Sequence, residues 1–599
     1  MERLLVTTAL EGSWDETQPM LFLGEWCRLY SRRHRWSELD VEVLPYHWDD
    51  REQLLKDRRF LELLYEDLLV EVSEKLNEFH STDHSSRYWR ILLGPWLGYF
   101  TQTFFDRWSS IHHATRDHEL SGTIVLKGLE DARVPNDMED FFHLGNSHSW
   151  NHFLYGRILT GFADVPRLER QAAGIDHGTH YGSSTEIAQP HPPQTFNLKT
   201  SLVAAYSSLS SRLTRPTDCF IHNTGLRSLR DELALQRRLG QVPRLVAVEP
   251  PADVPVHDRY RRWDLGGTEG AGFEPCLRSL IPEQMPTAYL EGYGALCDES
   301  DRRRWPSAPK VIFTGGSHFY DDVFKAWCAA RTEEGAPLVI GQHGGHIGTA
   351  WSFDHDHQIA IADRFLSWGW SDPAEPKVVP IGMLKAPIPT ASDYALKDGV
   401  LLVTSILNPH FQSFDLASRA LPSQFLGYLE DQFTFVAALS PTACDSLTVR
   451  LSAYDLRWSQ QCRWRHRFPE VLLDDGRRPI MDLLAETRLC IATSNGTTYL
   501  ESFFLDVPTV IFWDTTRWEL LESAVPYFED LARVGVFHDT PESAASHVSA
   551  IWSDVQSWWS DDAVVDAVTK FKRRYCDDPG HVLDEIRRAL RSVAREVQR

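Results

Sequence analysis

Short apolar runs alternate with helix-patterned stretches from about residue 201 onward, and no other feature restricts the fold as much. The runs are SLVAAYSSL at 201–209, DCFIH at 218–222, RLVAVEP at 244–250, KVIFTGG at 310–316, PLVIGQHG at 337–344, RFLSWGW at 364–370 and KVVPIG at 377–382. They are apolar without alternation, as strands covered on both faces must be. Helical spacing at 226–239 and 320–333 separates several of them. Such alternation builds a parallel sheet with helices on both sides. The stretch 385–399 carries two prolines, small residues and Gly399, and reads as a linker. A second series follows: VLLVTS at 400–405, a helix around 422–438, LTVRL at 447–451, RLCIATS at 488–494 and PTVIFW at 508–513.

Upstream, RLLVTTA at 3–9 reads as a buried strand, and residues 51–80 keep helical spacing throughout. Residues 88–108 are apolar nearly all round, which predicts a buried helix broken at Gly94-Pro95. No firm elements emerge between 115 and 200, and residues 562–598 read as charged amphipathic helix. The expected architecture is α/β, with two doubly wound, Rossmann-like domains facing a central cleft. The first covers residues 1–390 with helical N-terminal insertions, the second residues 391–561. Ligands of such sheets bind at the carboxyl ends of strands, so chemistry is sought there.

The net charge of −23 repels phosphate backbones and argues against a nucleic-acid partner or a polybasic membrane anchor. The nine cysteines form no CxxC pair and no zinc-spaced cluster, as expected of reduced thiols. The N-terminal apolar run is too short for a secretion signal, and no window holds 18 apolar residues. The expected location is the cytoplasm, at most against the inner face of its membrane. The 21 Trp, 18 Tyr and 30 Phe belong mainly to cores. The Trp-rich N-terminal part, including Gly24-Glu25-Trp26, Tyr46–Asp50, Arg87–Arg90 and Asn146–His152, is a candidate wall for an acceptor site.

Three strand ends carry the main candidate chemistry. Gln342, His343, Gly344, Gly345 and His346 combine close backbone approach with donors and proton-transfer groups. His343 suits holding a phosphate or acting on a sugar hydroxyl. The run Thr314–Asp322 puts His318, Asp321 and Asp322 after a Gly-Gly turn, where carboxylates serve acid–base work or a helix dipole. Ser494, Asn495, Gly496, Thr497 and Thr498 open a helix as an anion seat, with Glu501 one turn on, placed for a ribose diol or a sugar hydroxyl. Further candidates are Glu249 after a strand, Ser405, Asn408 and His410 after another, and Arg450 in a local basic island that continues through Arg457, Arg463, Arg465, His466 and Arg467.

The runs LFLGEWCRLYSRRHRWSELDVEVLPYHWDDR, RYWRILLGPWLGYFTQTFFDRWS, GQHGGHIGTA and SNGTTYLESFFLDVPTVIFW resemble the transferases encoded in bacterial O-antigen and surface-polysaccharide loci. The resemblance covers almost the whole chain. More distantly, QHG, SWGW and SNG…ES…PT are similar to capsule-type Kdo transferases and CDP-glycerol glycerophosphotransferases. The resemblance implies a GT-B architecture with the donor mainly in the C-terminal domain, residues 562–599 packing back toward the N-terminal one, and no required metal or cofactor. It implies Gln342 and His343 at the reaction centre, residues 494–498 and Glu501 on the donor, and Asp321 or Asp322 as nucleophile or base. The expected activity is transfer of a sugar from a CMP-, UDP- or GDP-linked donor, a CMP-activated Kdo or nonulosonic acid first, to a glycan or lipid-linked glycan. The alternatives are a CDP-glycerol-type phosphopolyol transferase, a GT-B-type UDP-sugar epimerase, or a glycan-binding protein without turnover.

Overall fold

The computed structural model describes residues 2–129, 134–162, 164–172, 210, 213–246, 250–270, 272–386, 398–414, 421–578 and 580–597. They form three parallel sheets. The first holds β1 (Arg3–Val6), β2 (Met20–Phe22), β3 (Val41–Val43), β4 (Leu120–Lys127) and β5 (Arg167–Gln171), in the order β3-β2-β1-β4-β5. The second holds β6 (Phe220–Ile221), β7 (Ile312–Thr314), β8 (Leu338–Gly341), β9 (Arg364–Ser367) and β10 (Val378–Pro380), in the order β10-β9-β8-β7-β6. The third holds β11 (Asp398–Val403), β12 (Leu447–Arg450), β13 (Leu472–Asp474), β14 (Thr487–Ala492), β15 (Thr509–Phe512) and β16 (Phe537–His538). Its order is β13-β12-β11-β14-β15-β16. The second sheet winds in one direction only. The first reverses between β1 and β4, and the third between β11 and β14. The first and third sheets are therefore doubly wound, whereas the second, expected to be doubly wound, is not.

The helices that position the site are α1 (Arg51–His80), α2 (Ser86–Asp117), α3 (His148–Leu159), α4 (Leu229–Arg238), α5 (Asp322–Glu333), α6 (Phe353–Ile361), α7 (Phe425–Ala438), α8 (Thr498–Phe504), α9 (Asp562–Tyr575) and α10 (Val582–Val597). Asp50 caps α1 by accepting from the amides of Glu52 and Gln53, as a short carboxylate at that position can. The chain end runs from the third sheet back to the second. The Asp577 amide donates to the Trp368 carbonyl (2.9 Å), the Met383 amide donates to the Asp577 carbonyl (2.8 Å), and α10 packs on α4.

Several expectations change. Residues 1–390 hold two sheets, not one with helical insertions: β2 and β3 have three residues each and β5 is polar, so periodicity alone does not reveal them, and β4 lies in the stretch 115–200 where no firm element was expected. α2 does not break at Gly94-Pro95. Packing on both sides carries it through: a Cβ at Gly98 would lie 1.9 Å from the Phe353 ring, and one at Gly94 2.8 Å from the Tyr65 hydroxyl. Residues 244–246 of RLVAVEP are not a strand, and SLVAAYSSL at 201–209 lies outside the described residues. Trp26, Trp48, Trp89, Trp96 and Trp150 are each at most 2% exposed, so they build core and not an acceptor wall.

Candidate functional site

The loop after β8 meets the loop after β14. The Gly345 amide donates to Thr497 Oγ1 (3.2 Å), and a Cβ on Gly345 would sit 2.6 Å from the Gly496 carbonyl oxygen. Only glycine allows two backbones this close. Beside it, Asn495 Nδ2 donates to Thr349 Oγ1 (3.0 Å), and the Tyr499 hydroxyl donates to Asn495 Oδ1 (2.9 Å). These bonds bring the carboxyl edges of the second and third sheets together. Asn495 is buried by them, whereas Ser494, Thr497 and Thr498 remain partly open.

Gln342 is fully buried and its amide is spent on the loop. Nε2 donates to the carbonyls of Gly344 (2.8 Å) and Ile347 (3.2 Å), while Oε1 accepts from the Trp368 amide and from Trp370 Nε1, both at 2.9 Å. All of its hydrogen-bonding capacity is used, so Gln342 shapes the turn and does not contact substrate. The loop then turns at Gly348, where φ is +92° and the Trp370 indole lies against the backbone. His343 is exposed and His346 partly exposed.

The other sequence candidates on the second sheet are deeper. Asp322 is 1% exposed; it accepts from the Tyr289 hydroxyl (2.7 Å) and the Met138 amide (2.8 Å) and pairs with buried Lys325. That network holds α5 in place and leaves no oxygen for catalysis. Asp321 caps α5 through Oδ1, which accepts from the Phe324 amide (2.9 Å). Its Oδ2 is buried 3.9 Å from His222 Nε2, and burial pushes the carboxyl up to about 6. His318 is 1% exposed with neither ring nitrogen hydrogen-bonded, and burial holds it well below the usual imidazole range. Glu249 lies outside the described residues.

On the third sheet the reversal point between β11 and β14 gathers Ser405, Thr493 and a residue that motif reading missed, Tyr428 of α7. The Ser405 amide donates to the Tyr428 hydroxyl (2.7 Å), which also shares a 2.6 Å hydrogen bond with Thr493 Oγ1. Glu501 lies on the first turn of α8. Burial raises its carboxyl, opposed by the ammonium of Lys385 at 3.8 Å. Lys385, read from sequence as the start of a linker, follows β10 and lies over the Trp368 ring at 5.6 Å. A tyrosine one turn into the helix after β11, and a lone lysine after an apolar strand end, were the available signals. Neither stands out without the sheet order. At seven residues, α8 is short, so charge for an anion must come mainly from side chains.

Three donor-side candidates lie elsewhere. His410 is 1% exposed and bonds His148 (3.1 Å between Nε2 and Nδ1) under the first sheet. Asn408 donates to Gln412 Oε1 (2.9 Å). Arg450 is spent on Asp474 (2.8 Å) and the Gly476 carbonyl (3.0 Å). The first sheet's own reversal point is filled by His152: Nδ1 lies 3.2 Å from Thr7 Oγ1, and Nε2 accepts from the Leu126 amide (2.9 Å). That accepting nitrogen fixes the Nδ1–H tautomer, and burial lowers the ring to about 4. Among the described residues, no group of three or more His, Cys, Asp or Glu is placed to hold a metal ion.

A family model, that of the LIC12162 family transferases, matches residues 3–590. The chain belongs to the LIC12162 family of transferases. No curated protein matches it in sequence. Among solved structures, this LIC12162-family chain is similar to an S. aureus TarM variant, solved with fondaparinux, α-GlcNAc-glycerol and UDP. The identity is 12%, the TM-score 0.31, and the match covers 47% of this chain and 54% of TarM. It is similar to the pneumococcal O-GlcNAc transferase GtfA at 11% identity and TM-score 0.31, over 44% of this chain and 54% of GtfA. It is also similar to WaaG, a glycosyltransferase involved in lipopolysaccharide biosynthesis, at 11% identity and TM-score 0.29, over 47% of this chain and 86% of WaaG. The chain thus spans about half the length of TarM and GtfA.

Proposed function

We propose that this LIC12162-family transferase is a glycosyltransferase that seats a nucleotide-sugar donor at the β11–β14 reversal point. One observation carries the reading. Of the two reversal points, that of the third sheet meets the loop that carries exposed His343 through the Gly345–Gly496 contact, while that of the first is filled by His152. Nucleotides bind in open α/β sheets where strand order reverses. Ser405, Ser494, Gly496, Thr497 and Thr498 supply short polar groups there, and Glu501 takes the ribose diol. An acceptor hydroxyl attacks the anomeric carbon and gives up its proton to solvent, while the nucleotide leaves with the electrons of the broken C–O bond. His343 stabilises the charge that develops on the leaving phosphate.

The donor is a CMP-activated Kdo or nonulosonic acid and the acceptor a lipid-linked surface glycan, on the likeness of QHG, SWGW and SNG…ES…PT to capsule-type enzymes. The reaction runs without a metal, at the inner face of the cytoplasmic membrane. Among the described residues no helix is long and apolar enough to cross a membrane. Thermal-shift titration with CMP, CDP, UDP and GDP tests the donor. Stabilisation by CMP and not CDP supports it, and stabilisation by CDP alone turns the reading to phosphopolyol transfer. Isomerisation of a UDP-sugar without acceptor turns it to an epimerase. Full turnover by His343→Ala would remove that residue from the centre.

A further inference from the structure

Lys385 occupies a position that no motif reading gave it. It follows the last strand of the second sheet, at that sheet's carboxyl edge: Leu384 beside it packs where a Cβ on Gly341 would point (2.6 Å), immediately before Gln342. Its ammonium lies over the Trp368 indole, and that indole is itself fixed, donating through Nε1 to the Gln342 carbonyl (2.9 Å). The lysine therefore stands beside the backbone that leads into His343. On its other side it reaches across to the third sheet, where Glu501 Oε1 is 3.8 Å away. The side chain is 29% exposed and that of Glu501 13% exposed, so the pair is partly open to solvent.

The pair is loosely made. At 3.8 Å the ammonium and carboxylate attract without a good hydrogen bond. A lysine ammonium has three donors, and an indole face takes none of them. Other cations at the strand ends of the third sheet are committed: Arg450 to Asp474, and Arg517 to both Asp431 (3.3 Å) and Asp514 (3.1 Å). With a net charge of −23, the field of the whole chain opposes an anionic ligand, so attraction must be local.

Resting on the nucleotide reading above, we propose that Lys385 is the cation that receives the phosphate of the bound nucleotide, and that it does so by exchanging Glu501 for that phosphate. Glu501, released from the lysine, is then the acceptor for a sugar hydroxyl. The two partners come from different sheets. The exchange therefore ties occupancy of the third sheet to a residue of the second, next to the His343 loop.

The test measures binding of whichever of CMP, CDP, UDP and GDP stabilises the full-length protein, beside the matching nucleoside. Lys385→Met keeps the apolar stem over Trp368 and removes the charge; Lys385→Arg restores it. Losing one charge-assisted contact should weaken nucleotide binding about 10- to 100-fold in Lys385→Met, with Lys385→Arg recovering most of it. The nucleoside, lacking phosphate, should bind both variants no more weakly than it binds wild type. Glu501→Gln, which frees the ammonium, should bind inorganic pyrophosphate more tightly than wild type does. Unchanged nucleotide affinity in Lys385→Met, or an equal loss for the nucleoside, overturns the phosphate role. Unchanged pyrophosphate affinity in Glu501→Gln overturns the exchange. Wild-type protein that binds none of the four nucleotides overturns the donor site together with this assignment.

Discussion

Gly345→Ala tests whether the contact between the second and third sheets is closed in solution. The added Cβ would meet the Gly496 oxygen at 2.6 Å, Leu500 Cδ1 at 2.9 Å and Thr497 Cα at 2.9 Å. Two of these three are backbone atoms. To reach ordinary contact at 3.4 Å, the carbonyl must retreat by about 0.8 Å. It cannot do so alone, because Asn495 is tied to Thr349 and Thr497 to Gly345 itself. Overpacking of this kind costs about 1–3 kcal/mol, and losing the Gly345–Thr497 hydrogen bond adds about 1 kcal/mol. Gly496→Ala is the control, since its Cβ would meet only Ser494 Oγ, at a comfortable 3.5 Å. Thermal unfolding should fall by at least about 2 °C in Gly345→Ala and stay near wild type in Gly496→Ala. A shift of this size at the reacting centre should cut turnover about 10- to 100-fold in the former. Equal stability and nucleotide affinity in Gly345→Ala and wild type would refute the closed contact, and with it the site built across it.

Gln342→Leu strands the Trp370 indole N–H and the Gly344 and Ile347 carbonyls, and should cost at least about 3 kcal/mol in denaturant unfolding. His343→Ala, one residue away but exposed, should move stability by no more than about 0.5 kcal/mol while lowering turnover. Tyr428→Phe leaves the Ser405 amide without its acceptor, so stability should fall by about 1–3 kcal/mol and nucleotide affinity should fall with it. Asp321 is raised from 3.8 to about 6 in the folded state, so folded protein holds more protons than unfolded between those values. Its contribution to stability is therefore lost as pH rises through that window. Asp321→Asn keeps the cap on α5, so it should be at least as stable as wild type at pH 7.5. That advantage should vanish near pH 4 in parallel denaturation curves.

The apolar runs that predicted strands became β7, β8, β9, β11, β12, β14 and β15 to within three residues at either end, because a strand buried on both faces needs an unbroken apolar sequence. The strands that escaped are different. β5 is Arg-Leu-Glu-Arg-Gln and exposed along its length, and β2 and β3 have three residues each, too few to show a period. The same limit hid the first sheet. Candidate loops were legible for a related reason: glycine and small polar residues after an apolar strand mark a backbone that turns close to something. QHGG and SNGTT are that pattern, and they meet.

Sequence alone thus determined the parallel α/β class, four of the third sheet's six strands, and which loops lie at carboxyl ends. These follow from local chemistry, since burial fixes side-chain type and tight turns fix glycine. Which side chains in those loops are available was decided only by tertiary structure. Gln342, Asp322, Arg450 and His410 look as capable as His343 in one dimension, but each is consumed by partners that include residues distant in the chain. Asp322 is held by Tyr289, and His410 by His148. Lys385 and Glu501, 116 positions apart, came together across two sheets for the same reason. A hydrogen-bonding group can be spent only once, and the sequence does not record on which neighbour it is spent.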